Sequence, residues 1–159
     1  MPANAFIRLL HHPVKFRLYL LWKLPAAFFS GVRLQVIDEQ YCEVTVPYQW
    51  FSQNPFRSTY FACLAMAAEM SSGLLAMVHT RSQPVKVSSL VVKFEAVYLK
   101  KAVSRTRFVC NDGMLLKAAI DKAVAAGEPQ ELETLSVGAN EAGEKIAECK
   151  ITWSFKPKS

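Results

Sequence analysis

One long apolar segment dominates this chain: Ser58-Thr-Tyr-Phe-Ala-Cys-Leu-Ala-Met-Ala-Ala-Glu69-Met-Ser-Ser-Gly-Leu-Leu-Ala-Met-Val-His-Thr80. Its residues are apolar or small on every side of a helical wheel, which predicts a helix that lies inside the protein. We expect this helix to be capped by Ser58 or Thr59 and to run to about Val78.

Glu69 is the only formally charged residue of that segment. An ionised carboxylate is costly to bury unless it is paired, hydrogen-bonded or protonated. Two interpretations follow. Either a structural partner reaches Glu69, such as strand N–H groups, Arg57 or Lys86, or the perturbed proton affinity of the carboxyl group serves chemistry.

Length and composition indicate one compact domain. The 159 residues are 52% hydrophobic and 20% charged, enough apolar material for a core without crosslinks. We expect a single domain over residues 1–159, with a helical extension over 1–29 and a core over 30–156.

The four scattered cysteines form neither a zinc-ligand spacing nor a disulfide framework, and Cys63 and Cys149 fall in apolar patterns as core residues. The sequence thus predicts no metal and no cofactor, and a cytoplasmic location.

The N-terminal segment is basic, since no acid precedes Asp38 in a chain of net charge +6. Helical spacing between Ala5 and Trp22, interrupted at Pro13, predicts two short helices that end near Pro25. The basic residues lie on different sides of the second helix, so we interpret the segment as a flap packed on the domain. Contact of this flap with a membrane is the alternative.

The rest of the chain predicts strands and a second helix. Alternation of apolar and polar residues favours the following strands: Val32–Val36 paired with Cys42–Val46, then Ser88–Leu99 and Arg105–Cys110, and a closing hairpin of Leu132–Ala139 and Lys145–Phe155. Asp112 is expected to cap a helix over Met114–Ala126 that ends at Gly127. This order predicts an α+β fold in which a long antiparallel sheet wraps around the buried helix.

The segment from Asn54 to Glu69, with the helix that follows to Gly73, resembles the loop and central helix of phenylacetate-pathway type acyl-CoA thioesterases of the hotdog superfamily. It is closer to an uncharacterised branch of that superfamily whose members are labelled possible thioesterases. At the level of the fold the resemblance covers residues 30–156. It implies a hotdog fold and a homodimer, or a tetramer, whose substrate is an acyl-CoA or another acyl thioester.

The resemblance also implies catalytic roles. Glu69 would be the base or nucleophile, and Asn54 would orient water. The backbone N–H of Phe61, with Tyr60 beside it, would stabilise the oxyanion, because a helix start offers unpaired donors. The family's His-Gly-Gly is Tyr60-Phe61-Ala62 here, which puts a large ring where the substrate approaches.

Further residues complete the predicted site. Ser88 or Ser89 matches a hydroxyl residue on the strand after the helix. Lys93 and Arg105 belong to a basic rim that would attract the phosphates of coenzyme A. None of the three histidines lies between Gln40 and Val78, which disfavours dehydratase chemistry. We expect His79 to cap the end of the central helix.

Other functional classes compete with hydrolysis. A non-catalytic acyl or lipid carrier would use Tyr60 and Phe61 to line a hydrophobic slot, with the N-terminal helices as its lid. A purely structural dimer module is a third interpretation. Nucleic-acid binding is disfavoured, because the basic residues are not interleaved with aromatic ones in a recognition element.

Overall fold

The computed structural model describes residues 3–158. Its helices are α1 (Ala3–Leu10), α2 (Pro13–Lys23), α3 (Pro25–Phe29), α4 (Phe61–Arg81) and α5 (Gly113–Ala126), with a 3₁₀ turn at Trp50–Ser52. Its strands are β1 (Arg33–Ile37), β2 (Cys42–Val46), β3 (Val87–Tyr98), β4 (Thr106–Cys110), β5 (Gln130–Ala139) and β6 (Lys145–Pro157).

The six strands form one antiparallel sheet in the order β1-β2-β4-β5-β6-β3. Helix α4 lies against the inner face of this sheet, packing chiefly on β2, β4 and β5. Helix α5 follows β4 and packs on α4 and β5. The arrangement confirms the predicted α+β fold with a sheet around a central helix.

The core forms where α4 meets the sheet. Inward positions of β4 and β6, such as Phe108, Ile151 and Phe155, are fully buried against the helix. Cys63 and Cys149 are buried too, as their apolar surroundings predict. By length and composition α4 could cross a membrane, but 67% of its most apolar window is buried inside the protein, which marks it as a core helix.

The ends of α4 differ from the expectation. Tyr60 is the N-cap and no side chain caps the helix. The cap prediction is wrong because both hydroxyls have other partners: Ser58 donates to Oδ1 of Asn54, and Thr59 donates to the carbonyl of Ala102. At the other end the helix continues to Arg81.

The histidine near the end of α4 is not a cap either. His79 is buried, and its Nε2 lies 2.8 Å from the carbonyl oxygen of Glu39 in the turn between β1 and β2. The side chain therefore ties α4 to a distant turn.

The N-terminal segment contains a third helix, α3, beyond the two that were predicted. Pro25 occupies its first turn, where a missing N–H costs nothing, so the proline that was expected to end α2 also begins α3. The three helices pack on one another, on α4 and on β1.

Helix α5 is correctly placed, but the role given to Asp112 is wrong. Asp112 is the N-cap residue, yet its side chain caps nothing. Its Oδ2 accepts a hydrogen bond from the backbone N–H of Leu135 at 2.7 Å, so it joins the helix start to β5. Gly127 ends the helix in a left-handed conformation, as predicted.

Candidate functional site

A groove of about 520 Å³ opens at the start of α4. Three segments meet there: the loop before α4, the first turn of α4, and the end of β3 with the basic turn after it. Its walls are formed by Asn54, Pro55, Phe56, Ser58, Thr59, Tyr60, Phe61, Leu64, Tyr98, Leu99, Lys100, Lys101 and Ala102. The groove therefore combines an apolar floor with cations on one side.

The first backbone N–H groups of α4 are unpaired. Within residues 3–158, the N–H groups of Phe61 and Ala62 have no hydrogen-bond acceptor, and no side chain caps the helix. Free donors at a helix start carry a partial positive charge. Because Phe61 lines the groove, these donors are placed to stabilise negative charge that develops on a ligand there.

Asn54 holds the loop that leads into α4. Its Oδ1 accepts hydrogen bonds from the N–H of Phe56 (3.0 Å), and from the N–H and hydroxyl of Ser58 (both 3.2 Å). Its Nδ2 reaches the carbonyl of Thr59 at 3.5 Å. Arg57, in the same turn, has a positive φ of 57°. The side-chain oxygen of Asn54 is thus engaged in the turn, and any contact with water would fall to the amide nitrogen.

Three aromatic rings cluster at the groove. Tyr60 packs edge-on against Phe61 at 5.0 Å between ring centroids, and Phe61 packs against Tyr98 at 6.4 Å. The Tyr98 hydroxyl donates to the carbonyl of Phe61 at 3.4 Å. Phe61 is 56% exposed, so its ring narrows the groove without sealing it.

Glu69 lies on α4, about two turns after Phe61. It is partly buried, and its carboxylate has no hydrogen-bond or ion-pair partner among the described residues. Arg57, Lys86 and strand N–H groups do not hold it, so that structural interpretation is wrong. Oε1 and the indole of Trp153 both lie next to Gly73, and burial raises the pKa of Glu69 above its ordinary value.

The spacing between Glu69 and Phe61 limits what one copy can do. Eight residues of α-helix correspond to about 12 Å along the axis. Glu69 is not among the residues that line the groove. Within one chain, the carboxylate and the free N–H groups therefore do not face the same ligand atom.

The remaining predicted residues lie away from this groove. Ser88 and Ser89 are at the start of β3, at the opposite end of a 12-residue strand from Tyr98. Lys93 forms an ion pair with Glu95 at 3.0 Å on the exposed strand. Arg105 lines other grooves, on the outer face of the sheet.

Sequence reasoning placed Asn54, Tyr60 and Phe61 at the site and missed other residues of the groove, among them Leu64 and Tyr98. Leu64 is one helical turn after Phe61, so the helical period could have placed it on the same side. Tyr98 was assigned to a strand face, but its approach to Phe61 depends on how β3 crosses α4, which no local pattern records.

Solved structures of similar fold come from several bacteria. A Pseudomonas aeruginosa protein of unknown function, named a probable thioesterase, has a TM-score of 0.77 at 19% identity, covering 92% of this chain and 97% of that one. A Chlorobaculum tepidum protein of unknown function has a TM-score of 0.77 at 16% identity, covering 92% and 97%. A thioesterase from Haemophilus influenzae has a TM-score of 0.65 at 12% identity, covering 91% and 90%.

These likenesses confirm the predicted hotdog fold, in which an antiparallel sheet surrounds a central helix. A comparison with curated protein sequences found no match. A domain family of unknown function, DUF4442, matches residues 16–155, which include α4, β1 to β5, and most of α2 and β6. The chain therefore belongs to the DUF4442 family of domains.

Proposed function

We propose that this protein hydrolyses acyl thioesters, with acyl-CoA as the substrate class. The observation that carries the proposal is an uncapped α4 that begins at a groove, on the same helix as a partly buried carboxylate that has no partner in the described part of the chain. Three kinds of support agree: the hotdog fold, the thioesterase names of structural neighbours, and this pairing of donors with a base.

The chemistry needs few groups. Glu69 accepts a proton from water, and the resulting hydroxide attacks the thioester carbonyl carbon. The N–H groups of Phe61 and Ala62 stabilise the oxyanion of the tetrahedral intermediate. When the carbon–sulfur bond breaks, the sulfur leaves as a thiolate and takes up the proton that Glu69 had accepted. The products are a carboxylic acid and a free thiol, and Glu69 is again ionised.

A second copy of the chain would complete the site. Strand β3 is at the edge of the sheet, its outer side is unpaired, and most of its residues are exposed, among them Leu90 and Val97. An exposed apolar edge strand favours pairing with another strand. Two β3 strands paired antiparallel about a two-fold axis would set the Ser88–Ser89 end of one copy beside the Tyr98 end of the other. The same symmetry would bring Glu69 of one copy towards the groove of the other.

The groove favours an apolar acyl group and an anionic carrier. The rings of Phe56, Phe61 and Tyr98 offer apolar contact for an acyl chain. Lys100 and Lys101 stand on its wall, where phosphate groups of coenzyme A would find cations, although Lys100 also pairs with Glu144 at 2.5 Å.

Turnover of a substrate panel tests the proposal. Purified protein is offered short, medium and aromatic acyl-CoAs, and released thiol is measured. We expect Glu69→Gln to lower kcat/KM by about 100-fold or more. The matched control is Glu131→Gln, an exposed glutamate on β5, which should leave turnover unchanged. Absence of thiol release above the Glu69→Gln background across the panel would exclude the enzyme.

A non-catalytic acyl or lipid carrier is the second candidate. The ring of Phe61, which stands where the resembling thioesterases have glycine, favours it, since a bulky side chain suits a slot that holds an acyl chain. Native mass spectrometry separates the two candidates. A co-purifying acyl species that Glu69→Gln retains equally, together with no thiol release, would support the carrier.

A further inference from the structure

Helix α2 has two apolar sides. One is buried against the protein through Phe16 and Leu20. The other carries Val14, Leu18, Leu21 and Trp22, which are all exposed; Leu18 is 60% exposed and Trp22 is 78% exposed. At about 100° per residue, these four side chains fall within an arc of about 100°, roughly opposite Phe16 and Leu20. We call them the outer stripe.

The outer stripe explains why the residues of α2, taken as a sequence, do not show the single apolar side that is typical of a helix lying on a membrane. An amphipathic helix has one apolar side and one polar side, whereas α2 has apolar residues on two opposite sides. The buried side belongs to the fold, so only the exposed side can meet a partner. On that side α2 is an apolar strip flanked by Lys15, which is exposed next to it.

A second group of exposed aromatic side chains follows α2 in the chain and shares a groove with Arg17 of α2. Phe29, at the end of α3, stacks on Phe51 at 5.6 Å between centroids, and Phe51 contacts Trp50 at 5.6 Å. All three are exposed, Trp50 by 79%. Tryptophan and phenylalanine beside basic residues are typical of segments that lie at the lipid–water interface.

The charged residues of the N-terminal helices are all basic. No acidic residue occurs before Asp38. Lys23 packs over the ring of Trp22 at 4.0 Å, so a cation accompanies the most exposed residue of the stripe. Phe29 also lines a groove of about 490 Å³ that contains Arg17, Arg33 and Arg105 and no carboxylate. The cations next to the apolar surface complement a negatively charged partner.

The position of α2 argues against a second copy as the partner. Helix α2 packs on α1 and α3; α1 packs on β1 and α4, and β1 is the sheet edge opposite to β3. Pairing through β3 therefore leaves the outer stripe uncovered. We propose that the outer stripe docks the protein on an anionic lipid bilayer, with α2 lying in the plane of the interface.

Vesicle flotation of the full chain tests this docking. We expect binding to vesicles of phosphatidylcholine with about 30% phosphatidylserine, and weaker binding to pure phosphatidylcholine. Binding should weaken when salt rises from about 0.1 M to about 1 M. Tryptophan emission should shift to shorter wavelength on binding, and Trp22→Ser should remove part of that shift.

Matched substitutions locate the surface. Leu18→Ser should lower the partition coefficient about fivefold or more, because an apolar side chain no longer enters the bilayer. Leu115→Ser is the control: Leu115 is 56% exposed on α5, and its replacement should change binding less than about twofold. Lys15→Glu with Lys23→Glu should lower binding to anionic vesicles by about tenfold or more.

Three results would contradict membrane docking, and none of them depends on whether the protein hydrolyses thioesters. The docking proposal fails if the wild type floats with neither vesicle type, or if Leu18→Ser and Leu115→Ser bind equally. It also fails if Leu18→Ser dissociates an oligomer by light scattering, since a second copy would then cover the stripe. Leu18→Ser should hydrolyse soluble acyl-CoA like the wild type, so a failure of either proposal leaves the other standing.

Discussion

At the scale of single residues, the Glu69 carboxylate carries the largest pH dependence that we expect. Burial raises its pKa above the ordinary value of about 4.3 for glutamate. The ionised form is the base, so kcat/KM should fall as the pH drops through this raised pKa, at higher pH than for an exposed glutamate. A pH profile of thiol release measures it, and an acid limb at or below about pH 4.3 would contradict it.

The raised pKa of Glu69 also makes the folded protein less stable at neutral pH than at acidic pH. Folded protein binds the Glu69 proton more tightly than unfolded protein does, so stability is lost as the pH rises through the raised pKa. Glu69→Gln removes that loss. The variant should be more stable than the wild type at neutral pH, and the difference should vanish below the ordinary pKa of glutamate. Urea unfolding at several pH values measures this, with Glu131→Gln as the control.

Thr106 offers a second residue-scale prediction. Its hydroxyl is buried and has no hydrogen-bond partner among the described residues. Thr106→Val should therefore raise the free energy of unfolding by about 1 kcal/mol in urea titrations. Thr134→Val is the matched control, since that buried hydroxyl donates to Ile151 at 3.0 Å, and its loss should cost about 1 kcal/mol. Equal destabilisation by both variants would contradict the statement that the Thr106 hydroxyl has no hydrogen-bond partner.

At the scale of elements, the start of α4 has no side-chain cap, and we expect a cap to raise stability and to slow the proposed hydrolysis. Tyr60→Ser adds a side-chain oxygen that can accept an α4 N–H, whereas Tyr60→Ala does not. We expect the serine variant to be about 1 kcal/mol more stable than the alanine variant, and slower in thioester hydrolysis, because the hydroxyl occupies a donor. Thermal unfolding and thiol release measure both effects. Equal stability would mean that the donors are already satisfied.

At the scale of the whole molecule, β3 should hold two copies together. Leu90→Lys with Val97→Lys places charges on the exposed edge strand and should raise the dimer dissociation constant by about 100-fold or more. Light scattering measures the state, and activity should be lost with the dimer. The control is Leu135→Lys on β5, inside the sheet order and away from this edge. A double variant that remains dimeric would place the interface elsewhere.

Local patterns predicted most of the elements because each depends on neighbours in the chain. Alternation placed all six strands, and the apolar run placed α4. The caps were wrong for a different reason: Ser58, Thr59 and Asp112 have polar groups that suit a cap, but each found a partner distant in sequence or in a neighbouring turn. Which acceptor or donor such a side chain bonds to depends on the groups that the fold brings near it, so the sequence alone does not decide it.

For the candidate site, the sequence alone determined that a lone acid lies in an apolar helix behind an unusual Tyr60-Phe61-Ala62 start, since composition and spacing are local. The tertiary structure decided that Glu69 has no partner within residues 3–158, that the side-chain oxygen of Asn54 is engaged in its own turn, and that the start of α4 faces a groove lined also by Tyr98. It also decided which side of α2 is exposed. Burial and contact depend on residues far apart in the chain, so they arise only when the sheet closes around α4.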